Sequence, residues 1–134
     1  MTNKEKKEYL SRYRYADKHV NDLIFELQKV RSRLERMTPH YGESIGGDGD
    51  RMLNGVAALL RIERRLGRDI ADLLQMRDEI EKCIKSVDDY NLRRLLYLRY
   101  INGYTWERIA VEMSYDVRQV YRLHGIALSE VVIE

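Results

Sequence analysis

The sequence has one cysteine, one proline and one phenylalanine, and it contains no long uncharged apolar run. Cys83 alone cannot form an internal disulfide, which fits a reducing cytosol. Turn residues and β-branched runs are too few for a strand-rich fold. The apolar runs are far shorter than the ~20 residues that a membrane helix needs, and no apolar signal-peptide core follows the charged residues 1–8. We therefore expect an all-α protein in the cytoplasm that does not contact a membrane.

Net charge is nearly balanced, with 24 Lys and Arg residues against 22 Asp and Glu residues. The basic excess lies at the N-terminus, where residues 1–37 have ten basic and six acidic side chains. Residues 38–87 have eight and nine, and residues 88–134 have six and seven. The C-terminal segment therefore lacks the net positive charge that is typical of nucleic-acid-binding domains.

A heptad pattern of apolar residues predicts a first long helix. Its members follow steps of four and three, so they form one stripe that suits packing against another helix. The members are Tyr9, Tyr13, Ala16, Val20, Leu23, Leu27, Val30, Leu34 and Met37. The stripe stops at Thr38-Pro39, because proline disfavours helical geometry at the residue before it. Residues 42–50 contain four glycines, and we interpret them as a loop.

A second heptad pattern predicts a second long helix, with Asp50 as its N-cap. Its members are Met52, Val56, Leu59, Glu63, Leu66, Ile70, Leu73, Arg77, Ile80, Ile84 and Val87, and the stripe is widened by Leu53, Leu60 and Leu74. Glu63 and Arg77 either lie at the edge of this seam with buried stems or fix its register or dimer geometry. Two long helices joined by such a loop are expected to fold back antiparallel.

The two helices together predict a coiled-coil-like hairpin over residues 1–87. Because each helix buries only one stripe, the core of the hairpin is thin for its length. We therefore expect self-association, as a homodimer with four helices or as a higher homo-oligomer. The hairpin is assigned to this association or to contact with another partner, and residues 88–134 are assigned to a second domain.

The second domain is predicted to contain three short helices in a helix-turn-helix arrangement. Asp88-Asp89 can cap the first helix, and Asn102-Gly103 ends it with Gly103 in the left-handed conformation. Thr105 and Asp116 are the expected N-caps of the next two helices, with Ser114-Tyr115 in the turn between them. The residues expected to face inward are Ile109, Ala110, Met113, Val120, Leu123 and Ala127.

The stretch over residues 96–110, LYLRYINGYTWERIA, resembles region 4 of bacterial sigma factors, where an L-R-Y triplet precedes a glycine, a capping threonine and E-x-I-A. Among small proteins the chain is similar to a phage and prophage family of Gram-positive bacteria whose members resemble the ArpU and RinA late-gene transcriptional regulators. The resemblance covers residues 88–130 and places residues 116–122 at the recognition helix. The motif often has glycine in its turn, where this chain has Ser114-Tyr115.

The resemblance implies double-stranded DNA as the partner, and RNA polymerase as an alternative one. Arginine can pair with guanine and glutamine with adenine in the major groove, and helix N-termini commonly meet a phosphate. The residues predicted to contact DNA are Arg118, Gln119, Tyr121 and Arg122 in the recognition helix, and Thr105, Trp106, Arg108 and Arg99 before it. For Trp106, a core position is the simpler interpretation.

No pattern for a catalytic, metal or cofactor site is found. The glycine-rich loop lacks a following Gly-Lys-Ser/Thr, and an EF-hand would need Glu where Leu59 stands. His19, His40 and His124 are too dispersed for zinc, and we expect His124 at a helix surface or half-buried. With no nucleophile beside a base, we predict no enzyme activity and no cofactor.

The sequence therefore predicts a sequence-specific DNA-binding transcriptional regulator of phage type. A small subunit of a phage packaging terminase is one alternative, because such subunits also combine a helix-turn-helix with oligomerising helices; they form rings. A helical adaptor that binds proteins and has no affinity for DNA is the other, and the acidic balance of residues 88–134 favours it.

Overall fold

The computed structural model describes residues 1–37 and 47–133, and this part of the chain is helical without any strand. Its helices are α1 (Asn3–Met37), α2 (Gly47–Lys85), α3 (Tyr90–Tyr100), α4 (Trp106–Met113) and α5 (Val117–Glu130). The long helix α1 packs against α2, and the all-α prediction is confirmed. No helix in the described ranges is long and apolar enough to cross a lipid bilayer. The predicted stop at Thr38-Pro39, His40 and most of the predicted loop lie outside the described residues.

The prediction that Asp50 caps α2 is wrong, because the helix begins at Gly47. Asp50 is instead an exposed residue near the start of the helix. A carboxylate there interacts favourably with the positive end of the helix dipole, so an acidic residue suits both positions. An aspartate near the start of a helix therefore does not reveal whether it is the N-cap or a residue of the first turn.

The chain forms two compact units, which divide both long helices. The first, which we call the terminal unit, consists of Met1–Ala16 and Leu73–Glu134; the second, the hairpin unit, is Asp17–Asp72. The predicted domain boundary after residue 87 differs from this division, because the start of α1 contacts α5. The Lys6 ammonium donates hydrogen bonds to the carbonyls of Leu128 (3.0 Å) and Ser129 (3.3 Å) at the C-terminal end of α5, where a positive charge is favourable.

The hairpin unit contains an antiparallel pair of helices, as predicted. Its buried seam residues are Val20, Leu23 and Leu27 from α1 and Leu66 from α2. Two polar contacts cross between the helices in antiparallel order: His19 Nε2 lies 3.1 Å from Asp69 Oδ2, and Arg31 Nη2 forms an ion pair with Glu63 Oε1 at 3.1 Å. Glu63 is half-buried at the edge of the seam, so its carboxylate reaches a partner without entering the apolar core.

The terminal unit has the larger core, and its fully buried side chains come from all five helices and their flanks. The largest of them are Leu10, Ile80, Val87, Leu95, Leu96, Ile109, Val120 and Val131. Arg77, the second polar residue of the predicted seam, is half-buried and donates to Glu81 Oε1 (3.0 Å) and to Tyr97 Oη (3.3 Å). Both polar seam residues therefore lie at an edge and have polar partners.

Candidate nucleic-acid interface

Helix α5 is held by a small apolar core that it shares with α3 and α4. The buried members of this core are Leu95, Leu98, Ile109, Ala110, Met113 and Val120, and Tyr104, Trp106, Tyr115, Val117 and Leu123 pack around them. The residues predicted to face inward on α4 and α5 lie in or against this core or are buried beside it. Ala110 is small enough to allow α4 and α5 to approach closely.

Side-chain caps fix the start of each of the three short helices. Asp89 Oδ1 accepts from the Leu92 N–H at 3.0 Å, and Thr105 Oγ1 accepts from the Arg108 N–H at 3.2 Å. Asp116 Oδ1 accepts from the Gln119 N–H at 2.8 Å. All three caps agree with the sequence prediction, and each satisfies a helical N–H group that has no partner within the helix.

The turn between α4 and α5 is a Schellman motif with serine in the position that glycine usually occupies. Ser114 has φ of 58°, in the left-handed region. Its N–H donates to the Val111 carbonyl (3.2 Å), and the Tyr115 N–H donates to the Ala110 carbonyl (2.9 Å). The turn of the helix-turn-helix thus keeps its geometry without glycine, whereas the preceding turn has Gly103 at φ of 73°, as predicted.

Replacing Ser114 by glycine should stabilise the protein by about 1 kcal/mol, because glycine removes the Cβ that makes the left-handed conformation costly. Urea unfolding followed by the fluorescence of Trp106, the only tryptophan, measures this change. Ser11→Gly is the matched control: Ser11 lies within α1, where the same substitution lowers helix propensity and stability. A loss of stability in Ser114→Gly would contradict the proposed strain.

The outer face of α5 presents two arginines that are one helical turn apart. Arg118 and Arg122 are both exposed, whereas Val120 and Ala127, on the opposite side of the helix, are completely buried. The spacing of four residues places both guanidinium groups on the same face. The core therefore anchors one side of α5 and leaves the arginine-bearing side open to solvent.

The two other predicted contacts on α5 lie on its flanks. Gln119 is half-buried, and its backbone N–H is used by the cap of the helix. Tyr121 is 50% exposed, and its ring centroid lies 5.4 Å from that of Trp106. Tyr121 thus has one face in contact with the domain and the rest of its ring in solvent.

Trp106 and Arg99 form part of the support for α5. Both side chains are half-buried, and the Arg99 guanidinium lies 4.2 Å from the centroid of the Trp106 ring. Arg99 Nη1 also donates to the Tyr104 carbonyl at 2.9 Å. Burial lowers the pKa of Arg99, and the positive charge of Arg14 lowers it further. This geometry favours a structural role for Arg99 and a core role for Trp106.

Thr105 and Arg108 lie at the start of α4 and are both exposed. The Thr105 hydroxyl is the N-cap acceptor described above, and the Arg108 guanidinium lies 3.7 Å from the centroid of the Tyr104 ring. The stacked guanidinium keeps its N–H groups at the surface. This end of α4 therefore combines a helix N-terminus with a positive charge, an arrangement that suits a phosphate.

The six acidic residues between positions 88 and 133 are divided between the two ends of α5. Glu107 and Glu112 lie on α4 and Asp116 caps the start of α5, whereas Asp88, Asp89 and Glu130 lie at the far end of α5. The Val132 N–H donates to Ser86 Oγ at 3.0 Å, which brings the end of α2 to the C-terminal end of α5. Asp88 and Asp89 follow Ser86 closely in the chain, and Glu130 is the last residue of α5. Arg118 is twelve residues before Glu130, about 18 Å along the helix axis. Glu134 lies outside the described residues.

His124 is buried on the side of α5 that faces the core. The expectation that it lies at the surface or is half-buried is therefore wrong. It is 8% exposed, its Nε2 lies 2.6 Å from Tyr100 Oη, and its ring packs at 4.6 Å from Trp106 between ring centroids. Burial lowers its pKa to about 4, assisted by the positive charges of Lys7 and Arg99. Burial also raises the pKa of Tyr100 to about 12, so this pair is uncharged at neutral pH.

Comparison of the chain with models of known families, with curated proteins and with solved structures gives no match. Within residues 1–37 and 47–133, no group of three or more His, Cys, Asp or Glu side chains is placed to hold a metal ion. The geometry of α4 and α5 and the charges around them are therefore the basis for a functional interpretation.

Proposed function

We propose that this protein is a sequence-specific DNA-binding transcriptional regulator whose α5 enters the major groove of double-stranded DNA. The exposed pair Arg118 and Arg122, carried on a helix whose opposite side is packed in the core, is the observation that supports the proposal. The major groove of B-form DNA is about 12 Å wide and admits one α-helix. The resemblance to sigma-factor region 4 points in the same direction.

Each predicted contact has a role in this proposal. Arg118 and Arg122 donate paired hydrogen bonds to guanine bases, and Gln119 reads an adjacent base pair from the flank of α5. The N-terminal end of α4, with Thr105 and Arg108, binds a backbone phosphate and fixes the orientation of the domain. The regulator is proposed to be of phage type and to act in the cytoplasm of a bacterial host.

Selection from a library of random DNA duplexes tests the proposal. We expect enrichment of a short motif, tight binding of that motif in an electrophoretic shift assay, and a steep fall of affinity as salt rises. Absence of both enrichment and binding at low salt would show that the protein does not act on DNA and would favour the adaptor alternative.

We also propose that the protein is a dimer that associates through one side of α2 in the hairpin unit. Leu53, Val56 and Leu60 follow steps of three and four, so they lie on one side of the helix. They are 70%, 41% and 45% exposed, respectively. Three aliphatic side chains exposed together on one helix face favour association with an equivalent face. Helix-turn-helix proteins commonly bind DNA as dimers with two half-sites on one duplex, which also favours a dimer.

Replacing both Leu53 and Leu60 by glutamate should convert the dimer into a monomer, because four buried carboxylates would lie in the interface. Light scattering after size exclusion measures the mass. The control is Asn54→Glu, an exposed position about 100° round α2 from Leu53, which should leave the dimer intact. A monomeric native protein would contradict the proposal, and a ring larger than a tetramer would favour the terminase alternative.

A further inference from the structure

A second basic surface lies on α2 in the hairpin unit, where four arginines share one side of the helix. We call it the arginine face: Arg61, Arg64, Arg65 and Arg68. Their spacing of three, one and three residues places them on adjacent turns of one side, and all four are exposed. Leu66, between them in sequence, is buried in the seam on the other side of α2.

The positive charge of this face is only weakly compensated. Arg65 Nε lies 3.9 Å from Asp69 Oδ2, a distance at the limit of an ion pair, and Asp69 also contacts His19 at 3.1 Å. Arg61, Arg64 and Arg68 form no ion pair with any carboxylate of the described residues. Unpaired guanidinium groups at this density repel one another, so an anionic partner gains from binding here.

The arginine face borders a groove between α1 and α2 of the hairpin unit. The groove has a volume of about 500 Å³ and is lined by all four arginines together with Leu23, Glu26 and Ile62. Leu23 is buried and Ile62 is half-buried, so they form the apolar floor. Glu26 on α1 is the only carboxylate among these lining side chains. The rim is therefore predominantly positive.

We propose that the arginine face binds the phosphate backbone of duplex DNA without regard to base sequence. Arginine presents a planar fork of N–H donors that fits phosphate oxygens, and no lysine lies among the four residues. Arg61 to Arg68 covers about 10 Å of helix axis, and a duplex has one negative charge for about every 1.7 Å of its axis. A continuous polyanion therefore matches a row of arginines.

The observations favour DNA over the two other classes of anionic partner. A membrane-binding helix needs free apolar side chains beside its basic ones. Ile62 and Leu66 are half-buried or buried at the seam, and the exposed Leu60 beside Arg61 belongs to the proposed dimer interface. Acidic protein surfaces have lower and more dispersed charge than a duplex. The inference extends the proposed function to a second compact unit of the chain, but it does not depend on base reading by α5.

The experiment measures fluorescence anisotropy of a labelled 20-base-pair duplex of arbitrary sequence, using the full chain. The test variant is Arg61→Gln, Arg64→Gln and Arg68→Gln, which keeps Arg65 with Asp69. We expect its affinity to fall at least tenfold at low salt. The slope of log affinity against log salt should decrease by about 2 to 3, because three phosphate contacts are lost.

The matched control removes the same charge elsewhere in the hairpin unit, by Lys18→Gln, Lys29→Gln and Arg33→Gln. These three side chains are exposed on α1 and do not line the groove. The control should bind the duplex nearly as well as the native protein, and circular dichroism should show the same helix content for all three proteins. Equal loss in both variants would mean that net charge alone drives binding, which would overturn the proposal, as would no loss in the test variant.

Two further probes decide between the classes of partner. Poly-glutamate of matched charge and vesicles of phosphatidylglycerol should both bind more weakly than the duplex, and tighter binding of either would overturn the proposal. The outcome is separable from that of the proposed function. If the native protein shows no sequence preference but the test variant still loses duplex binding, the arginine face stands while base reading by α5 fails.

Discussion

Replacing Arg118 and Arg122 by alanine should abolish sequence-specific DNA binding and leave the fold intact. Each guanidinium that pairs with a base contributes about 1–3 kcal/mol of discrimination. Loss of both therefore weakens specific binding by about 30-fold to about 10⁴-fold. Both side chains are exposed and lie opposite the core, so helix content and unfolding midpoint should not change. Electrophoretic shifts with the selected motif and circular dichroism measure the two quantities.

A pair of exposed lysines at the other end of the terminal unit serves as the matched control. Lys82 and Lys85 lie near the end of α2, close to the C-terminal end of α5, and Lys82→Ala with Lys85→Ala removes the same charge. This control should retain the sequence preference. Arg118→Lys with Arg122→Lys keeps the charge but loses the paired donors, so it should bind DNA with reduced preference. Unchanged specific binding by the alanine variant would refute the assignment of these arginines.

Local capping chemistry made the helix-turn-helix region predictable. Asp89, Thr105 and Asp116 act as N-caps in the structure, and Gly103 takes the left-handed conformation. These signals depend only on residues three or four positions away, so one sequence contains all the information required. Ser114 differs, because serine is not a residue type that signals a left-handed conformation, although the turn has the hydrogen bonds of a Schellman motif and Tyr115 packs against the core.

Features that depend on distant residues were not predictable in the same way. Leu10 is completely buried but lies beside the predicted stripe of α1, because the start of α1 packs in the terminal unit. Arg99 has the residue type of a phosphate contact, yet its position under Trp106 depends on how α3 meets α4. Neither position could be read from one helix, because helix periodicity identifies a face of that helix and not the set of elements that cover it.

The sequence analysis did not identify the arginine face, because it counted charges over long segments of the chain. Residues 38–87 have eight basic and nine acidic side chains, which hides any segregation by helix face. The spacing of Arg61, Arg64, Arg65 and Arg68 was visible in the sequence, but only the seam position of Leu66 shows which way they point. Such a surface is identified when charges are counted for each face of a helix and not for each segment of the sequence.

Acidification should destabilise the protein through His124. Its pKa is about 4 in the folded state, against 6.5 for an ordinary histidine, so the unfolded chain binds the proton first. The stability due to the neutral ring is fully present above pH 6.5 and is lost as the pH falls from about 6.5 towards 4. A difference of about 2.5 pKa units corresponds to about 3 kcal/mol, and solvent screens this side chain little because it is buried.

Urea unfolding at pH values between 7.5 and 4.5, followed by Trp106 fluorescence, measures this dependence. The effect of His124 is isolated by comparing, between variants, the slope of the free energy of unfolding against pH. In His124→Gln the amide cannot take up a proton in this range, so the free energy of unfolding should change less with pH even if the variant is less stable at pH 7.5. His19→Gln, which removes an exposed histidine, should keep most of the native slope. The same slope in His124→Gln as in the native protein would contradict the prediction.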